Sequence, residues 1–218
     1  MIPLFHDFEG AAVLVVGGGP VGARKARRFA REGDVTVLSP AFADADFGGA
    51  ERVRVAPEPQ DAAEWVARVN PALVVAATDD DAVNGAFAEA ARDAGALVNR
   101  ADQSGRRDAD SVVVPATVRD GPVSVAVSTG GASPALSKFL REEIESHLDG
   151  AGEMADLTAD LRAELKAAGV PPDDRRDAVR AVVRSGSVWK ALRTAGTNPR
   201  KTADDVVDDV VGNLEWST

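Results

Sequence analysis

The chain has 218 residues, enough for one sizeable domain with a smaller appendage. It carries no cysteine, which excludes disulfides, thiolate metal sites and thiol catalysis. It has only two histidines, His6 and His147, so no histidine-rich metal centre and no metal site is expected. With 35 acidic against 25 basic residues the net charge is −10, which argues against nucleic acid or an anionic membrane surface as partner.

In chain order, Ile2-Pro3-Leu4-Phe5 is too short for a signal peptide and runs into Asp7 and Glu9. The apolar run Ala12–Val16 reads as a buried strand. It is followed by Gly17-Gly18-Gly19-Pro20-Val21-Gly22 and by a helical pattern through Ala26, Phe29 and Ala30. Val35–Leu38 is the second strand, ending at Ser39-Pro40, and Val53–Ala56 is a weaker third. A helix is predicted over Asp61–Val69, then a strand within Pro71–Ala77, apolar throughout as expected of a strand covered on both faces. Thr78-Asp79-Asp80-Asp81 caps a helix through Val83, Phe87 and Ala91, and Ala96–Asn99 is the next strand. This alternation predicts an α/β fold, a Rossmann-type parallel sheet with helices on both faces. The pattern then changes: Ser111–Val118 and Val123–Ser128 flank Arg119-Asp120-Gly121-Pro122, an antiparallel β-hairpin. A second glycine loop, Thr129-Gly130-Gly131-Ala132-Ser133-Pro134, opens an amphipathic helix through Leu136, Phe139, Leu140 and Ile144. Beyond Gly150 only helices are expected, broken at Gly169–Pro172 and at Thr197–Pro199. No apolar run approaches the ~20 residues of a membrane span, and a soluble cytoplasmic protein without membrane contact is expected. Asp outnumbers Glu 23 to 12 and Arg outnumbers Lys 20 to 5, a composition suited to high salt or, alternatively, imposed by a GC-rich genome.

The strand–glycine–helix arrangement is where the chemistry starts. In Gly17-x-Gly19-x-x-Gly22 the first glycine allows the tight turn, the second lets backbone approach a pyrophosphate, and the third lets helix and strand pack closely. The phosphates would meet free N–H groups and the positive end of a helix dipole. The acid that often holds a ribose at the end of the second strand is missing; Leu38-Ser39-Pro40-Ala41 stands there, so ribose recognition falls to backbone or to Ser39. Capping accounts for Asp80 and Asp81, whereas Thr78 and Asp79 are placed to line the cofactor cleft at the carboxyl edge of the sheet. Asp102 follows a strand on the same edge, as a catalytic acid or a solvated loop residue. Arg100, Arg106 and Arg107 crowd that loop, as a fork for a polycarboxylate substrate or as a plain basic loop. In the second glycine loop, Ser128, Thr129, Gly130, Gly131 and Ser133 suit an anionic group; the alternative is a connection with Ser133 as N-cap and Pro134 as first helical residue. The tryptophans Trp65, Trp189 and Trp216 read as packing.

Taken together and in order, Pro3-Leu4-Phe5, Gly17–Lys25, Ala76–Asp80 with Val83-Asn84, Val98-Asn99 with Asp102, Pro115–Pro122 and Ser128–Pro134 with Leu140-Arg141 resemble the precorrin-2 dehydrogenase family. This is the NAD-dependent module of sirohaem synthase, and some of its members also act as sirohydrochlorin ferrochelatases. The resemblance implies a Rossmann domain (residues 1–110) binding NAD, a dimerisation segment with the hairpin (111–149) and a C-terminal helical domain (150–218). It implies a homodimer that oxidises precorrin-2, a tetrapyrrole with eight carboxylates, to sirohydrochlorin. It matches Pro20, Val21, Pro40 and Ala41 to cofactor contacts and Asp102 to the aspartate of dehydrogenation and chelation, and it accounts for the missing ribose acid. Two departures stand out: Gly22 replaces a usual alanine, a change expected to be harmless, and the loop 103–110 is longer than the family's. A non-catalytic NAD-sensing Rossmann module and a chelatase without dehydrogenase activity are the rival readings.

Overall fold

The computed structural model describes residues 2–101 and 111–212. The chain forms two compact units, one holding residues up to Val114 together with Gly130–Ala132, the other holding Pro115–Thr129 and the chain from Ser133 onward.

In the first unit β1 (Ala12–Val16), α1 (Pro20–Phe29), β2 (Asp34–Ser39), β3 (Glu51–Arg54), α2 (Ala62–Val69), β4 (Leu73–Ala76), α3 (Asp81–Asp93) and β5 (Leu97–Arg100) follow in order. The strands form one parallel sheet in the order β3-β2-β1-β4-β5. Its two faces are read directly from the strand period of two. Val13, Val15, Val35, Val37, Leu73 and Val75 pack with Ala23, Ala26 and Phe29 of α1. Leu14, Val16, Leu38, Val74 and Val98 pack with Val66 of α2 and with Val83, Phe87 and Ala91 of α3. Both faces are covered, so the central strands are apolar throughout, as the sequence required. From β1 the chain runs outward to β2 on one side, and β4 joins on the other. The strand order therefore reverses between β1 and β4, the place where open α/β sheets form a ligand crevice.

Two strand expectations shift. The third strand, expected at Val53–Ala56, lies at Glu51–Arg54, because its ladder is set by β2 (Thr36 to Ser39). Val53 and Val55 still pack inward. Ser111–Val114, expected as part of the hairpin, runs instead beside β5: Ser111 bridges Val98 in parallel and the Val112 N–H donates to Val98 O at 2.7 Å. Val112 and Val114 then cover the α1 face of the sheet, and Pro115, which has no N–H to give, ends the run.

The second unit opens with the hairpin β6 (Ala116–Asp120) and β7 (Val123–Val127), antiparallel with Asp120 opposite Val123. Gly121 has φ +51, and Pro122 must have a negative φ; these are the signs of a type II′ turn. The turn sits on the next helices closely: the Gly152 N–H donates to Asp120 Oδ2 at 3.0 Å, and a Cβ on Gly152 would lie 2.8 Å from Asp120 O. Helices α4 (Pro134–His147), α5 (Ala151–Ala167), α6 (Pro172–Arg184), α7 (Gly186–Leu192) and α8 (Pro199–Val211) complete the unit. Leu161, Leu165, Val182, Val188 and Val207 form its core. The expected breaks at Gly169–Pro172 and Thr197–Pro199 are present. A further break at Ser185 was not expected; Ser185 caps α7 through Val188 N–H, a Ser-Gly start inside an otherwise helical run.

Candidate functional site

The carboxyl ends of β1, β2 and β4 enclose a crevice of about 760 Å³, with the glycine loop on its floor, Ser39 and Pro40 on one side and Ala77 to Asp81 on the other. The glycines there have different reasons to be glycine. Gly17 has φ +122, and a Cβ on it would lie 2.4 Å from Ala77 O. A Cβ on Gly18 would lie 2.4 Å from Ala41 O, and one on Gly22 only 1.9 Å from Gly17 O. These three are required by the polypeptide itself. Gly19 is not: its φ is −73, and a Cβ there would meet nothing within 4 Å. Gly22 is thus no neutral substitute for the alanine of related chains, since on this backbone alanine collides with the turn.

Gly19 is the N-cap of α1, with Pro20 as first helical residue. No side chain caps this end and no acid lies in its first turn. At the start of α3, by contrast, Asp80 Oδ1 accepts from Ala82 N–H at 2.8 Å and from Val83 N–H at 3.1 Å. The start of α1 thus borders the crevice with no side-chain cap on its N–H groups.

Thr78 and Asp79 lie on the crevice wall as placed from the sequence. The Thr78 hydroxyl is engaged locally, 2.8 Å from Asn84 Oδ1, while Asn84 Nδ2 donates to Thr78 O at 2.8 Å. Asn84 is 1% exposed and also accepts from the Thr78 N–H, so one buried amide holds the wall in shape. Asp79 is exposed. Ser39 is buried and its hydroxyl donates to Ala41 O at 2.7 Å, which leaves that oxygen only its acceptor capacity toward a ribose. Pro40 and Ala41 are exposed beside it, and Arg54 donates to Pro40 O.

Arg100 was expected as part of a substrate fork. Its side chain is 8% exposed and ion-paired with Asp81 of α3, so its guanidinium is anchored on the helix. Asp102, Arg106, Arg107 and Trp216 lie outside the described residues. Of the second glycine loop, Gly130 and Gly131 have φ +66 and +89. The Thr129 hydroxyl donates to Ser133 O at 3.1 Å and accepts from the Ser133 N–H, and Ser133 Oγ accepts from the Leu136 N–H as N-cap of α4. The hydroxyls of Thr129 and Ser133 thus serve the turn and the cap.

Sequence reasoning assigned no role to Lys25 or Asn99. Lys25 Nζ donates to Asn99 Oδ1 at 2.9 Å, and Asn99 Nδ2 donates to Val112 O at 2.8 Å, stitching α1, β5 and the returning chain together. Burial, then the nearby Arg28 and Arg24, lower the Lys25 pKa to about 8. The available signal was a lysine directly after the glycine motif and an asparagine where a buried strand ends.

Residues 4–116 match the family model described as "Putative NAD(P)-binding". The chain belongs to this NAD(P)-binding family. Residues 120–147 match a second model, the central part of sirohaem biosynthesis proteins. Among curated relatives, the siroheme synthase of Pseudomonas putida is 34% identical over 95% of this chain and 44% of its own length. The siroheme synthase of Stutzerimonas stutzeri is 34% identical over 80% of this chain and 37% of its own. The chain therefore spans less than half the length of these siroheme synthases. The precorrin-2 dehydrogenase of Methanosarcina barkeri is 29% identical over 97% of this chain and 96% of its own length. Among solved structures, SirC, a precorrin-2 dehydrogenase, superposes with a TM-score of 0.70 at 24% identity, covering 96% of this chain and all of its own. The resemblance to precorrin-2 dehydrogenases read from the motifs is borne out, and the NAD(P)-binding fold it implied is the one observed.

Proposed function

We propose that this NAD(P)-binding protein is a precorrin-2 dehydrogenase, oxidising precorrin-2 to sirohydrochlorin with NAD in siroheme biosynthesis, as a cytoplasmic homodimer. The observation that carries the cofactor part is Gly19, a glycine that neither backbone angle nor packing requires, at the uncapped start of a helix and on the floor of a crevice. Space for a missing side chain at that point is space for a pyrophosphate. The substrate is supported by the relative of matching length from Methanosarcina barkeri, a precorrin-2 dehydrogenase. Exposed Leu136, Phe139 and Leu140 along α4 support the dimer. None of the described helices is long and apolar enough to cross a membrane.

The N–H groups opening α1 would hold the pyrophosphate. Pro40 and Ala41 would flank the ribose, and Thr78, fixed by Asn84, would border the nicotinamide end. When bound, the nicotinamide supplies the hydride acceptor. The protein's own part is to hold the macrocycle against it, an orientation effect worth several kcal/mol, and to accept the proton that leaves with the hydride. Asp102 is assigned that proton, and Arg106 and Arg107 are assigned substrate carboxylates. The test is incubation with precorrin-2 and NAD while sirohydrochlorin absorbance is followed, with iron or cobalt added in parallel to read chelation. Asp102→Asn should slow turnover about 10²- to 10⁴-fold with NAD affinity unchanged. Absence of sirohydrochlorin from a wild-type protein that binds NAD would refute the proposal.

A further inference from the structure

A second, smaller cavity of about 210 Å³ lies between α1, the carboxyl end of β5 and the segment 111–114, with Lys25 and Asn99 on its wall. Val21 borders both this cavity and the cofactor crevice. The cavity is below the usual volume of a small-molecule site, so it fits one arm of a larger ligand rather than a whole one.

Lys25 is half-buried there. Among the described residues its ammonium has one hydrogen-bond partner, the neutral amide of Asn99, and no carboxylate pairs with it. Among the described residues, the groups around it are cationic or neutral. On α1 these are Arg24 and Arg28; at the end of β5, Arg100 held by Asp81; on the third wall, Ser111 and valines. α1 carries four basic residues and no acid in a protein of net charge −10. A tether from α1 to Asn99 needs one donor and no charge. Placing an unpaired ammonium against valines carries a desolvation penalty that an incoming anion would offset.

We infer that the Lys25 cavity is a carboxylate subsite, taking one acidic arm of the substrate while the macrocycle lies at the neighbouring nicotinamide end. This rests on the dehydrogenase reading above and adds to it the group that recognises the substrate. Lys25 Nζ keeps one N–H on Asn99 and offers the others to the carboxylate, a charge-assisted contact strengthened by the burial of the ammonium. Binding and protonation are then coupled. The ammonium form binds, so affinity falls as pH rises past about 8, where Lys25 loses its proton.

The test uses the full chain with saturating NAD, and a fluorescent porphyrin bearing eight carboxylates as probe, ionised throughout pH 7–10. Lys25→Met keeps the length of the side chain and removes its charge. It should weaken the probe about 10- to 100-fold at pH 7, abolish the loss of affinity above pH 8, and leave NAD affinity by calorimetry unchanged. Asn99→Asp is the second variant; its carboxylate occupies the ammonium from within and should weaken the probe too. Wild-type protein that does not bind the probe, a Lys25→Met protein that binds it as tightly at pH 7 or with the same pH dependence, or one that loses NAD, overturns the subsite. Lys25-dependent probe binding without conversion of precorrin-2 keeps the subsite and refutes the dehydrogenase. Conversion with Lys25-independent binding refutes the subsite alone.

Discussion

Gly19→Asp separates what the fold needs from what the cofactor needs. Position 19 is an N-cap with extended backbone (φ −73, ψ −177), no side-chain cap, and open space for 4 Å around the point where a Cβ would stand. An aspartate there can accept from the N–H of Val21 or Gly22. It replaces a glycine cap, worth a few tenths of a kcal/mol less, and adds a favourable charge–dipole interaction of about 0.3–1 kcal/mol. Net stabilisation of about 0.5–1 kcal/mol should raise Tm by roughly 1–4 °C for a chain of this size. The same carboxylate occupies the N–H groups that the pyrophosphate needs and repels it. At about 4 Å and an effective dielectric of about 20, one such pair is worth up to ~4 kcal/mol; with solvent screening, ~2–4 kcal/mol of binding is lost, a roughly 30- to 1,000-fold weaker Kd. Thermal unfolding monitored by circular dichroism and NAD titration by calorimetry read the two effects separately. A Gly19→Asp protein that binds NAD as wild type, or one that loses affinity only because it melts several degrees lower, refutes the assignment of this helix end to the cofactor.

Three further outcomes follow from the same geometry. Gly22→Ala puts a Cβ 1.9 Å from Gly17 O, roughly 1.5 Å inside normal contact. It should cost about 1–3 kcal/mol, seen as a Tm lower by several degrees, the opposite sign to Gly19→Asp. Asn84→Ala removes three hydrogen bonds to Thr78 and should cost about 2–3 kcal/mol, with weaker NAD binding in calorimetry because the crevice wall loosens. Lys25→Met should be more stable than wild type at pH 7. The folded-state pKa of about 8 lies below the ordinary 10.5, so the unfolded chain binds more protons between those values. The penalty, up to about 3 kcal/mol, is full below pH 8 and fades toward pH 10.5. Urea unfolding of the two proteins at pH 7 and pH 10 measures the difference, and a gap that widens with pH would contradict it.

Length, period and glycine placement by themselves determined most of this protein's architecture. Val13–Val16 and Leu73–Ala76 could only be strands covered on both faces, and a glycine loop between strand and helix could only be a phosphate-type turn or an empty one. Such features are local, written within a few residues. The tertiary structure decided what depends on partners far along the chain. Ser111–Val114 has the composition of a hairpin strand, but the free edge of β5 and the amide of Asn99 claim it for the sheet. Arg100 looked like a ligand-binding fork until Asp81, 19 residues earlier, took its guanidinium. Of three glycines with one motif-level explanation, two are fixed by backbone contacts at Ala77 and Gly17 and only Gly19 faces open space. Lys25 shows the limit most clearly. Sequence marks it as one more cation on an amphipathic helix, and only burial beside a neutral amide, 74 residues away, makes it an ammonium without a counterion among the described residues, because desolvation is a property of the packed neighbourhood and of no single position in the chain.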